Sequence, residues 1–300
     1  MNTRSSDKKV DASSSRKRKT TDSAGSKRRK QPVVAKKSGR KKKQMVVVKE
    51  AAKDSSKPTA FRCNLALVVE EIRKLRSEGL LKESHLGAML RTPFGAMFKA
   101  MYEDKIILDH VGMIGQVGKK IISAYSVEDD AFLMGGEVVK FTPDDVALTF
   151  GLPKHGKNIV THSGDTVSQS AFMERRFGGE SSLKVKSIHT AVRAILNEDG
   201  SEEDFARCFI LYMLATVFFA NSNRAISLSY VPYFEDLDKV WEVEWASIIH
   251  DHLMKMVKKH YKDPFRTAGC VVQLLVSLSR NFYSFRNLLF PVGLLVLKIF

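Results

Sequence analysis

The chain is 300 residues long, with 49 Lys and Arg against 33 Asp and Glu and a formal net charge of +16 at pH 7. Its three cysteines, Cys63, Cys208 and Cys270, are odd in number and sit in apolar surroundings. That excludes a disulfide framework, fits a reducing compartment and reads each as a small buried apolar residue.

The excess charge sits at one end. Residues 1–58 hold 20 Lys and Arg against 5 Asp and Glu, whereas the other 242 residues hold 29 against 28. The same stretch contains no Phe, Trp, Tyr, Leu or Ile. It cannot bury enough apolar surface to offset the entropy of ordering, so it reads as a disordered basic arm. Met1 leads into polar and charged residues, so no secretory signal is expected. The cations come in blocks: Arg16, Lys17, Arg18 and Lys19; Lys27, Arg28, Arg29 and Lys30; Arg40, Lys41, Lys42 and Lys43, with Lys36 and Lys37 before the last. Such runs suit the acidic grooves of a nuclear import receptor, which predicts a nuclear protein. They also suit nucleic-acid phosphates, with an affinity that falls as salt rises. Binding would be non-specific, because the arm has no aromatic side chain to stack on bases. Phosphorylation of the interspersed serines (Ser13, Ser14, Ser15, Ser23, Ser26) would weaken both uses.

From Phe61 onward helical spacing dominates. Leu65, Val68, Val69, Ile72 and Arg76 share a face bordered by Leu75, Glu70 and Lys74 form an i,i+4 pair, and Gly79 ends the helix. A second helix is expected over 105–117, grouping Ile106, Ile107, His110, Val111 and Ile114. Strand-like runs at 131–134 and 137–141 flank Gly135-Gly136, which supplies the positive φ of a two-residue hairpin turn. Thr142 then reads as an N-cap, Pro143 as the first helical residue, Asp144 and Asp145 as dipole-favoured carboxylates, and Gly151 as the stop, with Pro153 forbidding continuation. Residues 155–170 read as a loop and 183–196 as a helix. Ser201 to Asp204 caps the most apolar helix, 205–220, which is expected at the centre. Residues 237–257 read as one amphipathic helix aligning Trp241, Trp245, Ile248, Ile249, His252 and Met256, and 270–278 as another apolar helix. The runs 205–220, with Arg207, and 288–300, with Pro291, Gly293 and Lys298, fall short of the ~20 residues that span a bilayer, so no membrane association is expected. The chain ends at Phe300 in an apolar stretch, which reads either as a truncated or alternatively spliced product or as a C-terminal helix docked on the core.

Residues 151–158 match the phosphate-binding pattern G-x-x-x-x-G-K-[S/T] except at the last position, where Asn158 replaces the Mg²⁺-binding hydroxyl. A phosphate loop follows a strand and starts a helix, whereas this segment follows a capped helix and enters a loop. His250 and His252, two apart on a helix, point about 200° apart and cannot share a metal ion. His252 reads as a satisfied core histidine, as do His110 and His189, and His250 and His260 as solvated. No cysteine has a neighbourhood that lowers its pKa, and Asp129-Asp130 reads as a turn. The residues therefore point to no catalytic, metal or cofactor site, and the chain reads as a non-enzyme.

Several stretches together resemble the plant mobile domain, a transposon-derived family sometimes labelled aminotransferase-like. They are Thr92-Pro93-Phe94-Gly95, Phe132-Leu133-Met134-Gly135-Gly136-Glu137, residues 139–146, Phe150-Gly151-Leu152-Pro153, residues 207–214 and 233–238, Trp245-Ala246 and Gly269-Cys270. The resemblance covers about 61–270; beyond Cys270 the chain departs from the family's pattern. It implies a protein of transposon origin linked to silencing or genome regulation. Related regions are fused to cysteine proteases of the SUMO-processing (Ulp) type, so an alternative is the accessory N-terminal half of such a protease without its catalytic domain. The aminotransferase label implies no pyridoxal phosphate here, since no lysine has a Schiff-base context.

The expected organisation is a disordered basic arm (1–58), a mainly α domain with a small β-hairpin (59–270) and an apolar C-terminal segment (271–300). The expected function is non-enzymatic: a nuclear protein that binds chromatin or nucleic acid through the arm and protein partners through the helical domain.

Overall fold

The computed structural model describes residues 64–106, 111–159, 170–198, 201–264 and 269–275. The chain divides into two units, Met1–Lys53 and Asp54–Phe300, and every described residue belongs to the second. The basic arm, Cys63, His110 and the run 288–300 lie outside the described residues.

Helix α1 (Leu65–Ser77) buries Leu65, Val68, Val69, Ile72 and Leu75. Leu75 takes the core position expected of Arg76, because the Arg76 guanidinium reaches out to Asp104 at 3.0 Å. Lys74 pairs with Glu78 rather than toward Glu70. Two short helices follow, α2 (Glu83–Leu90) and α3 (Gly95–Tyr102). They meet so closely that a Cβ on Gly95 would lie 2.6 Å from Leu90 Cα. The helix expected over 105–117 is displaced: α4 runs Val111–Ser123, and Lys105 and Ile106 precede it in non-helical chain. Buried Ile106, whose carbonyl accepts from Arg73 at 3.2 Å, anchors the connection instead.

The hairpin forms as expected, except that its second strand ends at Val139 instead of Phe141. β2 (Ala131–Met134) pairs antiparallel with β3 (Glu137–Val139) across Gly135 and Gly136, both at positive φ, after a short edge strand, β1 (Tyr125–Ser126). Between β1 and β2, Asp129 and Asp130 do lie in a turn; Asp130 accepts from the Tyr125 hydroxyl at 2.5 Å and from Lys258 at 2.9 Å. Helix α5 (Pro143–Phe150) opens on a capping box, in which Asp145 accepts from the Thr142 amide at 2.8 Å and hydroxyl at 2.9 Å. It closes on Gly151 at φ 68°.

Helix α6 (Ala171–Phe177) is capped by Ser170, whose hydroxyl accepts from Met173 N at 3.0 Å. The helix expected over 183–196 begins two residues late. Leu183–Lys184 is a strand, β4, paired antiparallel with β5 (Ala225–Ile226), and α7 runs Val185–Asn197. Helix α8 (Glu202–Met213) is buried from Asp204 through Met213 and packs on α2 and α7, which places it at the centre as expected. Its α-register ends at Met213, and Leu214–Phe218 continue as a π-helical turn. The long amphipathic helix expected over 237–257 is two elements: a 3₁₀ helix, Leu237–Glu242, and α9, Trp245–His260. Val243 between them is extended and bridges in parallel to Lys157. Trp241 is therefore rotated away from the core and donates from its indole to Arg91 O at 2.7 Å. A 3₁₀ helix over Leu228–Phe234 and a final helical segment at 271–275 complete the described chain.

The result is a mainly α fold with one small antiparallel hairpin sheet and a two-stranded β4–β5 pair. Its core is aromatic. Phe98, Phe205 and Phe209 meet edge-to-face or stacked at 5.0–6.0 Å, and Trp245 packs between Phe94 and Phe234. Each such ring fully buried stabilises the fold by about 1.5–3 kcal/mol. Among the described residues no helix is long and apolar enough to cross a membrane.

Candidate functional site

The twelve basic residues singled out in the arm, Arg16 through Lys43, lie outside the described residues. Cys63 and His110 lie outside them too; most of the chemistry-bearing groups that are described hold the fold together.

Residues 151–158 form a seam, not a phosphate cradle. After Gly151 the chain runs alongside 242–247: the Lys157 amide donates to Glu242 O at 2.6 Å, the Glu244 amide to Lys157 O at 3.2 Å, and the Ala246 amide to Pro153 O at 2.9 Å. The Lys157 ammonium lies on the Glu242 carboxylate at 2.5 Å, and Asn158 donates to Glu244. Gly156 has φ 148° and its missing Cβ would collide with the Glu242 carbonyl, so the glycine is required by this close approach.

His189, His250 and His252 have separate neighbours. His250 is not solvated: its ring stacks on Phe141 at 5.3 Å and bonds Phe141 O at 3.0 Å. His252 packs edge-on against Phe219 at 5.1 Å, but its buried Nε2 has no hydrogen-bond partner, so it is a core histidine left unsatisfied. Burial, helped by Lys255, lowers its pKa to about 4. His189 lies 3.0 Å from Glu71. Among the described residues no group of three or more His, Cys, Asp or Glu could hold a metal. Cys208 and Cys270 are buried, and burial pushes the Cys208 thiol well above its ordinary range.

One carboxylate stands out. Asp204, only 1% exposed, accepts from Arg175 at 2.8 and 3.0 Å, from Arg176 at 2.7 Å and from Arg207 at 3.0 Å. Burial raises its pKa, but the hydrogen bonds and charges of Arg175 and Arg176 prevail and bring it to about 2. Arg207 also donates to Glu203 and to the carbonyls of Phe234 and Glu235, and Glu203 bonds Arg91, which chelates Asp238. This network ties α6, α8 and the two 3₁₀ helices together. Its central carboxylate is saturated with donors, so it has no proton or lone pair to offer a substrate.

A pair of concave features was not anticipated from sequence. A cleft of about 680 Å³ opens between α1, the β4–α7 junction and the end of α8, beside another of about 360 Å³ at the π-turn. Leu67, Val185, Tyr212 and Arg224 line both. Its outer rim carries Lys74, Lys184, Lys186 and Arg224 against Glu70 and Glu71, and Glu71 is already held by His189 at 3.0 Å and Arg193 at 2.9 Å. Arg224 occupies a left-handed conformation, φ 51°, in a loop fixed by Asn221, whose side chain bonds Phe219 O, Ala225 O and the Asn223 amide. Burial, with Glu71, raises the Tyr212 pKa to about 12. Thr216, in the π-turn, is 3% exposed, lines the smaller cleft and has a buried hydroxyl with no hydrogen-bond partner. The lining residues are dispersed over 64–224, and a single-sequence reading has no signal that joins them; the one local hint is Asn221-Ser222-Asn223, a turn-forming run after an apolar helix.

The described residues define a mainly helical domain tied together by a buried polar network. A family model described as a domain of unknown function (DUF8566) matches residues 110–275, more than half of the chain, and the chain belongs to that family. No curated protein and no solved structure matches it.

Proposed function

We propose that this is a non-enzymatic nuclear protein of transposon origin, related to the plant mobile domain. Its basic N-terminal segment engages an import receptor and nucleic-acid phosphates, while its helical domain engages protein partners. The observation that carries this reading is the charge partition: 20 of the 49 Lys and Arg lie in the first 58 residues, and the remainder of the chain is almost neutral. A polyanion would therefore be attracted to the segment far more than to the domain. Two described groups of the domain that could do acid–base or nucleophilic work are committed elsewhere. Asp204 is saturated by arginines and Cys208 is a buried thiol.

The test is a comparison of the full chain with a form lacking residues 1–58, both fused to a fluorescent protein, together with duplex-DNA binding at 50 and 200 mM KCl. The full chain is expected to enter the nucleus and to lose at least tenfold in DNA affinity between the two salts. The shortened form is expected to stay diffuse and to bind DNA weakly. Unchanged import and an unchanged salt slope after the deletion would refute the proposal.

A further inference from the structure

We propose that the paired cleft beneath Arg224 binds a small molecule with an apolar body and one anionic head group. This site is independent of the basic segment. The inner walls offer apolar contact through Leu67, Val185, Ala215 and Tyr212. A volume of several hundred Å³ with mostly apolar walls and a few convergent polar groups suits a small ligand. At the mouth, Lys184, Lys186 and Arg224 form no ion pair among the described residues, so their charge remains available to an anion.

Two features argue for a built site rather than a surface irregularity. The Thr216 hydroxyl is buried without a partner, a desolvated group that a ligand's polar atom would satisfy. It sits in a π-turn, where one residue is squeezed into the helix, a deformation found most often at functional sites. The walls are also fixed in advance. The Thr216 carbonyl holds the Asn64 amide at 3.1 Å, and the Val185 amide donates to Arg224 O at 2.8 Å. Pre-formed geometry lowers the ordering cost of binding.

The experiment uses the full chain and two fluorescent probes of similar aromatic body, the anionic 8-anilinonaphthalene-1-sulfonate and the neutral N-phenyl-1-naphthylamine, titrated in 300 mM KCl to suppress binding to the basic segment. Both are expected to bind saturably at one site. Val185→Trp, which fills the cleft from a partly buried position, is expected to abolish both. The pair Lys186→Gln with Arg224→Gln is expected to weaken the sulfonate about fivefold, the effect of two exposed ionic contacts, and to leave the neutral probe unchanged. If Val185→Trp unfolds the protein by circular dichroism, the charge pair alone decides. Thr216→Val is expected to raise the melting temperature without probe and to shrink the rise that the sulfonate produces. Retention of both probes by folded Val185→Trp, or a sulfonate affinity unchanged within twofold in the charge pair, overturns the site. A melting temperature lowered by Thr216→Val overturns the role given to the hydroxyl.

Discussion

Replacing Asp204 with asparagine changes one atom and removes the charge on which three guanidinium groups converge. In the native protein the carboxylate accepts from Arg175, Arg176 and Arg207 at 2.7–3.0 Å and is 1% exposed. The side-chain amide of the variant would present two N–H donors where only acceptors are wanted. Breaking a buried ion pair from one side costs about 3–5 kcal/mol. The lower end applies here, because half of the Arg175 side chain is exposed and regains water, and Arg207 keeps Glu203 and two carbonyls. The expected loss is about 3 kcal/mol in urea unfolding at pH 7, or about 10 °C in melting temperature for a domain of this size. The pH dependence carries a sign. The folded pKa, about 2, lies below the unfolded value, so the carboxylate's contribution is complete above about pH 4 and fades as the pH falls toward 2. The gap between wild type and Asp204→Asn should therefore narrow by about 2–3 kcal/mol over that window. A loss below about 1 kcal/mol at pH 7, where surface ion pairs lie, or a gap that stays constant down to pH 2, would refute the assignment of Asp204 as the hub of the network.

Three further outcomes are expected. Gly156→Ala forces a Cβ into the Glu242 carbonyl and should cost about 2–3 kcal/mol, with amide exchange accelerating at Lys157 and Glu244; an unchanged urea midpoint would show that the 151–158 seam is not fixed. Gly95→Ala places a Cβ 2.6 Å from Leu90 Cα and Met89 O and should cost about 1–3 kcal/mol by wedging α2 from α3, read as a lower melting temperature. His252 has a folded pKa of about 4, below its unfolded value, so stability is lost as the pH falls from about 6.5 to 4, by about 3 kcal/mol at most. His252→Leu should flatten that slope in urea titrations, and a slope equal to wild type would place the titration elsewhere.

Local chemistry made part of the fold legible. Gly135-Gly136 announced its hairpin, and Thr142, Pro143, Asp145 and Gly151 marked both ends of α5, because turns and caps are decided within a few residues. The apolar run at 205–220 announced the central helix, but not the register change at Leu214, which depends on what packs around it. The 237–257 stretch read as one helix because its apolar spacing is continuous. Its break comes from Val243 pairing with Lys157, a contact between segments 86 residues apart. Helices α2 and α3 and strands β1, β4 and β5 are too short to carry a period. The candidate cleft was invisible for a stronger reason. Lys186, Tyr212, Thr216 and Arg224 become neighbours only when β4 and β5 close, and none of them is unusual where it stands in the sequence.

The five residues Leu214–Phe218 wind one residue wider than the turns before them. The chain behaves there as though it had absorbed an insertion without moving the segments on either side. Removing one residue would restore even winding, yet it would swing Phe218 and Phe219 by about 100° away from Phe94, Phe150 and Tyr230. Relatives of this chain are therefore expected to keep its length unchanged here even where the side chains drift, and an alignment gap at this turn would mark a differently packed centre.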